Sequence, residues 1–133
     1  MTNAVKLCSD GPWAMELTDL SFDPDPPSIK KDITEIWRFS LRDVITEGAT
    51  FHEVWKVGAM VIVDRDVDLC SVLSKSGLQC PVPPGDYTVR YTYPVAGDQP
   101  NIPPFVTIKV RRGFYNADRS SLLCYDMTLK FVP

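Results

Sequence analysis

The residues able to do chemistry in this chain are few and widely spaced. Four cysteines stand at Cys8, Cys70, Cys80 and Cys124, the single histidine is His52, and aspartates alternate at Asp64, Asp66 and Asp68. There is no Cys-x-x-Cys pair and only His52 to complete a metal site, so an even set of four cysteines reads as two disulfides. Oxidised thiols are neither nucleophiles nor metal ligands. His52 has no serine or cysteine pattern near it, no Gly-x-Ser-x-Gly occurs, and its setting between Phe51 and Val54 turns the ring outward. The three aspartates have the composition of a calcium cluster, but Arg65 intervenes and no glycine-bearing EF-hand loop follows, so they read as a solvated loop. The expectation is a protein with no catalytic residue, no metal and no enzymatic activity.

Cys70 and Cys80 enclose a short Ser/Lys/Gly loop, residues 71–79, that a disulfide closes without help from distant structure. Cys8 then pairs with Cys124 and ties the start of the chain to its last strand. Loop-closure entropy gives roughly 3 kcal/mol for the short bridge and about 5 for the long one, as upper figures. A domain stapled in this way tolerates an incompletely filled interior. Disulfides also imply an oxidising compartment. Residues 1–6 lack the apolar stretch of a signal peptide, so the chain reads as a mature form of a secretory-pathway protein, extracellular or in a vacuolar or lysosomal lumen. No Asn-x-Ser/Thr sequon accompanies it.

The elements that must position these residues are short. With 133 residues one domain spanning the whole chain is expected, and 44% hydrophobic with 23% charged residues indicates neither disorder nor a membrane span. A net charge of −3 with scattered basic residues argues against nucleic acid as a partner. Twelve prolines and seven glycines break the chain too often for a helical bundle. Period-two alternation marks strands at 33–41 (Ile33, Trp37, Phe39 and Leu41 inward, Glu35 and Ile36 as exceptions), 87–93, 106–110 and 123–131. Further strands are expected at 13–22, 51–57 and 59–63, and residues 67–76 read as a loop in which 68–73 could form a helical turn. Six to eight short strands at this spacing predict an all-β sandwich or barrel.

Taken together, Asp68-Leu69-Cys70, Cys80-Pro81-Val82, Gly85-Asp86-Tyr87, Pro103-Pro104 and Ser121-Leu122-Leu123-Cys124-Tyr125 resemble the ML family of lipid-recognition domains. That family includes the Niemann-Pick type C2-like sterol carriers, the fungal phosphatidylglycerol/phosphatidylinositol transfer proteins and plant relatives. The stretch from Asp19 to Pro27 resembles its first strand and Pro-rich turn, so the likeness covers almost the whole chain. The resemblance implies an immunoglobulin-like β-sandwich of two antiparallel sheets with an apolar cavity between them, and the same two cysteine pairs. Animal members commonly carry a third disulfide near the Pro-rich turn. This chain has no cysteine between Cys8 and Cys70, which places it toward the fungal or plant branch.

The resemblance further implies a cavity mouth formed by Ile62, Val95, Ile102, Pro103 and Phe105. Deeper, Trp37, Phe39, Trp55, Val57, Val89, Tyr91, Tyr93 and Tyr125 occupy predicted inward faces, where core packing and lipid contact are equally good readings of any one side chain. The expected function is binding and transfer of a sterol or phospholipid by a monomer. Its partners would be a transient membrane surface or a membrane-protein acceptor, and no cofactor is expected beyond the bound lipid. The alternative is a secreted immunoglobulin-like protein-recognition module with a packed core.

Overall fold

A computed structural model describes residues 5–94 and 102–133. Its elements in chain order are β1 (Val5–Leu7), β2 (Met15–Asp23), β3 (Ile33–Leu41), β4 (Thr50–Val57), β5 (Met60–Asp68), α1 (Leu69–Ser74), β6 (Gly85–Tyr93), β7 (Thr107–Tyr115) and β8 (Ser121–Lys130). The strands form two antiparallel sheets, one ordered β1-β8-β7-β4-β5 and one ordered β2-β3-β6. This is the expected two-sheet sandwich. Every proline among the described residues falls outside the strands, because proline cannot donate to a ladder. Cys8–Cys124, with a sequence separation of 116, fastens the end of β1 to β8 within one sheet, and Cys70–Cys80, with a separation of 10, ties α1 to the segment leading into β6 of the other.

Two sequence readings are corrected. Residues 64–68 are not a loop but the second half of β5: Asp64, Asp66 and Asp68 face outward while Val63, Arg65 and Val67 face inward. The alternation was there, with charge on the wet face and an arginine on the dry one. The segment read as a loop at 67–76 contains the helix α1. Asp68 caps it, its carboxylate accepting from the Cys70 N–H at 3.1 Å and the Ser71 hydroxyl at 2.9 Å. Leu69, Val72 and Leu73, at helical spacing, are buried beneath it. β7 also runs past its expected end at residue 110 to Tyr115. The exposed Tyr115 ring lies over Gly113, where a Cβ would meet its hydroxyl at 2.7 Å and push the ring aside.

Register stacks the inner faces into layers. Toward the β4–β5 hairpin lie Ile33 and Tyr93 in one sheet and Met127, Val110, Trp55 and Val63 in the other. Next come Phe22, Glu35 and Tyr91 facing Tyr125, Arg112, Glu53 and Arg65. Beyond them Leu20, Trp37 and Val89 face Leu123, Phe114, Phe51 and Val67. The far end is closed by buried Asn116, whose amide donates to the Val44 carbonyl and accepts from the Thr46 N–H, each at 2.9 Å. Removing the α1 cap with Asp68→Ala should lower unfolding free energy by about 1 kcal/mol in urea titrations, with the disulfides intact.

Candidate functional site

The structure divides the expected inward residues into two groups on either side of a charged layer that holds Tyr91 and Tyr125. Trp55, Val57 and Tyr93 lie toward the β4–β5 hairpin, with Trp55 against Tyr93 and Phe131 at ring separations of 6.3 Å each. Ile102 is buried and Pro103 half-buried at this same end. Half-buried Ile62 falls at the register shift between β4 and β5, and packs against the core there. Phe105 is 62% exposed with φ +68°, its N–H bound to the Phe131 carbonyl at 2.8 Å. Val95 lies outside the described residues. Trp37, Phe39 and Val89 instead lie on the far side of the charged layer. There Trp37 meets Phe51 and Phe114 at 5.8 and 5.7 Å, and Phe39 meets Tyr87 at 5.7 Å.

Between the two groups lies a feature the site reading did not contain. Arg112 is fully buried and grips Glu35 of the opposite sheet with both terminal nitrogens, Nη2 to Oε2 at 2.8 Å. Its Nε donates to Glu53 Oε1 at 3.0 Å and its Nη1 to the Tyr125 hydroxyl at 3.2 Å. The Tyr93 hydroxyl donates to Glu35 at 2.7 Å and the Trp37 indole N–H at 3.1 Å. Glu53 also accepts from the Trp55 indole at 2.9 Å and from Arg65 Nε at 2.7 Å. Two arginines face two glutamates, so the layer is internally neutral, and both carboxylates are saturated with donors as buried charge demands.

At the hairpin end the surface becomes apolar. Met60 and Val61, opening β5, are 62% and 49% exposed, and Phe105 stands just before β7, whose Lys109 pairs with Lys56 of β4. Three exposed apolar side chains therefore share the end of the sandwich whose inner wall is Trp55, Tyr93 and Phe131.

The sequence model of the ML domain matches residues 2–131. The chain belongs to the ML domain family. It is 29% identical over 121 residues to a phosphatidylglycerol/phosphatidylinositol transfer protein of Cryptococcus neoformans var. neoformans serotype D, covering 90% of this chain and 65% of that protein. A protein of the same name from Mycosarcoma maydis is 27% identical over 126 residues, 93% of this chain and 63% of the relative. This ML domain thus spans just under two thirds of the length of these curated relatives. Its fold is shared with a Niemann-Pick type C2 protein from Japanese carpenter ant, with a TM-score of 0.71, 13% identity and 96% and 98% of the two chains covered. It is also shared with chicken MD-1 complexed with lipid IVa, with a TM-score of 0.58, 15% identity and 97% and 98% coverage.

Within this ML domain the charged layer sets the protonation states. Burial works to raise the Glu53 carboxyl, but the Arg112 charge, the Trp55 N–H and Arg65 outweigh it and hold its pKa below the ordinary 4.5. Burial pushes Tyr125 and Tyr91 up to about 12, and burial with Glu35 beside it holds Tyr93 well above its ordinary value, so all three remain protonated. Burial opposes the Arg112 charge, and Glu35, Tyr125 and Glu53 more than restore it. On the outer face both nitrogens of His52 are occupied, by Asp64 at 3.0 Å and Asp66 at 2.8 Å. Among the described residues no group of three metal-ligating side chains converges. The signal for the missed layer was parity: Glu35, Glu53 and Arg112 each sit on the apolar phase of their strand.

Arg112→Leu leaves Glu35 buried without its counter-charge and should destabilise the ML domain by about 3–5 kcal/mol. Adding Glu35→Leu should recover part of that, giving a coupling of about 2 kcal/mol in a double-mutant cycle of urea unfolding. Strict additivity would contradict the pairing. The depressed Glu53 pKa contributes stability fully above pH 4.5 that is lost as pH falls through the folded value, and Asp126, lowered by Arg111, acts in the same direction below 3.8. The urea midpoint should therefore fall steeply as the pH drops below about 4.5. A midpoint that rises there would exclude the assignment.

Proposed function

We propose that this ML domain binds a sterol or phospholipid between its two sheets and carries it between membrane surfaces, without catalysis and without a cofactor. The observation that carries this reading is the exposure of Met60, Val61 and Phe105 at the end where Trp55, Tyr93 and Phe131 line the interior. Such a rim gives a bilayer an apolar surface to meet beside the inter-sheet space. The names of the curated relatives, phosphatidylglycerol/phosphatidylinositol transfer proteins, support the same reading, as does a shared fold with a protein crystallised with lipid IVa. Burying several hundred Å² of lipid would release on the order of 10 kcal/mol gross at about 25 cal/mol per Å². Translational and ordering losses offset much of that, leaving micromolar or tighter affinity.

Cysteines that are all paired fit a secreted or lumenal protein, and we read the chain as a monomer of the extracellular space or of a vacuolar or lysosomal lumen. A second reading, a packed protein-recognition module, is favoured by the mesh of Trp37, Phe51 and Phe114 across the sheets.

Mass spectrometry of a solvent extract of the purified protein separates the two. Stoichiometric lipid is expected, and Phe105→Asp should slow transfer between vesicles about tenfold without unfolding the chain. Absence of extracted lipid together with failure to take up fluorescent sterol and phospholipid would leave the recognition module.

A further inference from the structure

Arg65 stands on the inner face of β5 and Tyr91 on β6, and these are the edge strands of the two sheets. β6 lies over β4 and β5: the Tyr91 ring is 5.8 Å from Phe51, and its hydroxyl lies within the field of both Glu53 and Arg65. The two side chains therefore face one another across the lateral slot of the sandwich.

Every nitrogen of Arg112 is used, but Arg65 differs. Its Nε is anchored on Glu53 at 2.7 Å, while its Nη2 is shut off from solvent and has no hydrogen-bond partner, the one such side-chain atom among the described residues. The half-buried Tyr91 makes no hydroxyl hydrogen bond to another described residue. A desolvated donor without an acceptor is unfavourable, and native structures keep such atoms mainly where something else supplies the acceptor. The Arg65 side chain as a whole is 32% exposed, so the enclosed Nη2 lies just inside the solvent boundary.

We propose that Arg65 Nη2 and the Tyr91 hydroxyl are the recognition point for a phosphodiester oxygen of a glycerophospholipid whose chains occupy the space between the sheets. This rests on the carrier reading and deepens it. A guanidinium fork matches an anionic, multi-oxygen group, whereas a sterol presents one neutral hydroxyl and gains little from it. Glu53 serves as the positioning residue that aims the fork.

The test compares fluorescent phosphatidylglycerol with a fluorescent sterol on the wild type and on Arg65→Met, Arg65→Lys and Tyr91→Phe, each checked for a native thermal melt. Arg65→Lys preserves the charge beside Glu53 and removes only the fork, so it keeps the test alive should Arg65→Met fold poorly. Phosphatidylglycerol affinity should fall about tenfold for the arginine variants and about threefold for Tyr91→Phe, with sterol uptake unchanged. Folded variants that bind phosphatidylglycerol like the wild type, or that lose both lipids equally, overturn the assignment. So does inorganic phosphate alone raising the wild-type melting temperature through Arg65, which would make the site one for free anion. A wild type that takes up neither lipid sinks the carrier reading itself.

Discussion

Arg112 reaches from β7 into the space between the sheets and closes on Glu35 of β3, joining two charges 77 residues apart in sequence at a point where neither is exposed. Much of the interior is arranged to make that pair tolerable. Tyr93 and Trp37 complete the shell of Glu35, Tyr125 takes the spare donor of Arg112, and Glu53 with Trp55 and Arg65 balances what is left. An ion pair of this kind adds little net free energy, because desolvation offsets the attraction, but losing either partner is expensive. The two sheets consequently cannot slide by a residue without stranding charge in an apolar core.

That layer also divides the interior. On one side Trp37, Phe51 and Phe114 interlock with centroids 5.0 to 5.8 Å apart, and this part of the core is filled. On the other side Trp55, Tyr93 and Phe131 stand beneath the apolar rim. On the carrier reading the guest belongs to this second compartment, with Glu35 and Arg112 beneath it as a rigid floor, and Trp37 and Phe39 act as core.

Much of the architecture could be read locally because it depends on local pattern. β3 runs over the residues its alternation marked, and the two disulfides join the cysteines that loop length paired. What local pattern hid has a common cause. Glu35 broke the alternation only when viewed without Arg112, and no window of β3 contains that partner. The aspartates of β5 resembled a loop because strand and loop both put charge in water, and the decisive fact was the inward Val63 and Val67 between them. The helix α1 was obscured because six residues are too few for a clear period, and its cap Asp68 doubles as the last residue of a strand. For the candidate site, parity identified the inward side chains but could not say on which side of the ionic layer each falls, since that is a property of register between strands.

The three-residue strand β1 has a significance out of proportion to its size. It pairs with β8 through Val5, Lys6 and Leu7, and the Cys8–Cys124 bond anchors it where its own contacts would hold only weakly. Were it to peel away, the long row of amide groups along β8 would be open to any extended segment, including the same segment of another molecule. The opposite border, β5, is defended differently, by outward Asp64 and Asp66 that repel a second copy approaching in register. The covalent link thus acts as a guard against strand exchange and aggregation, a task distinct from restricting the unfolded chain and one that an oxidising compartment keeps in force.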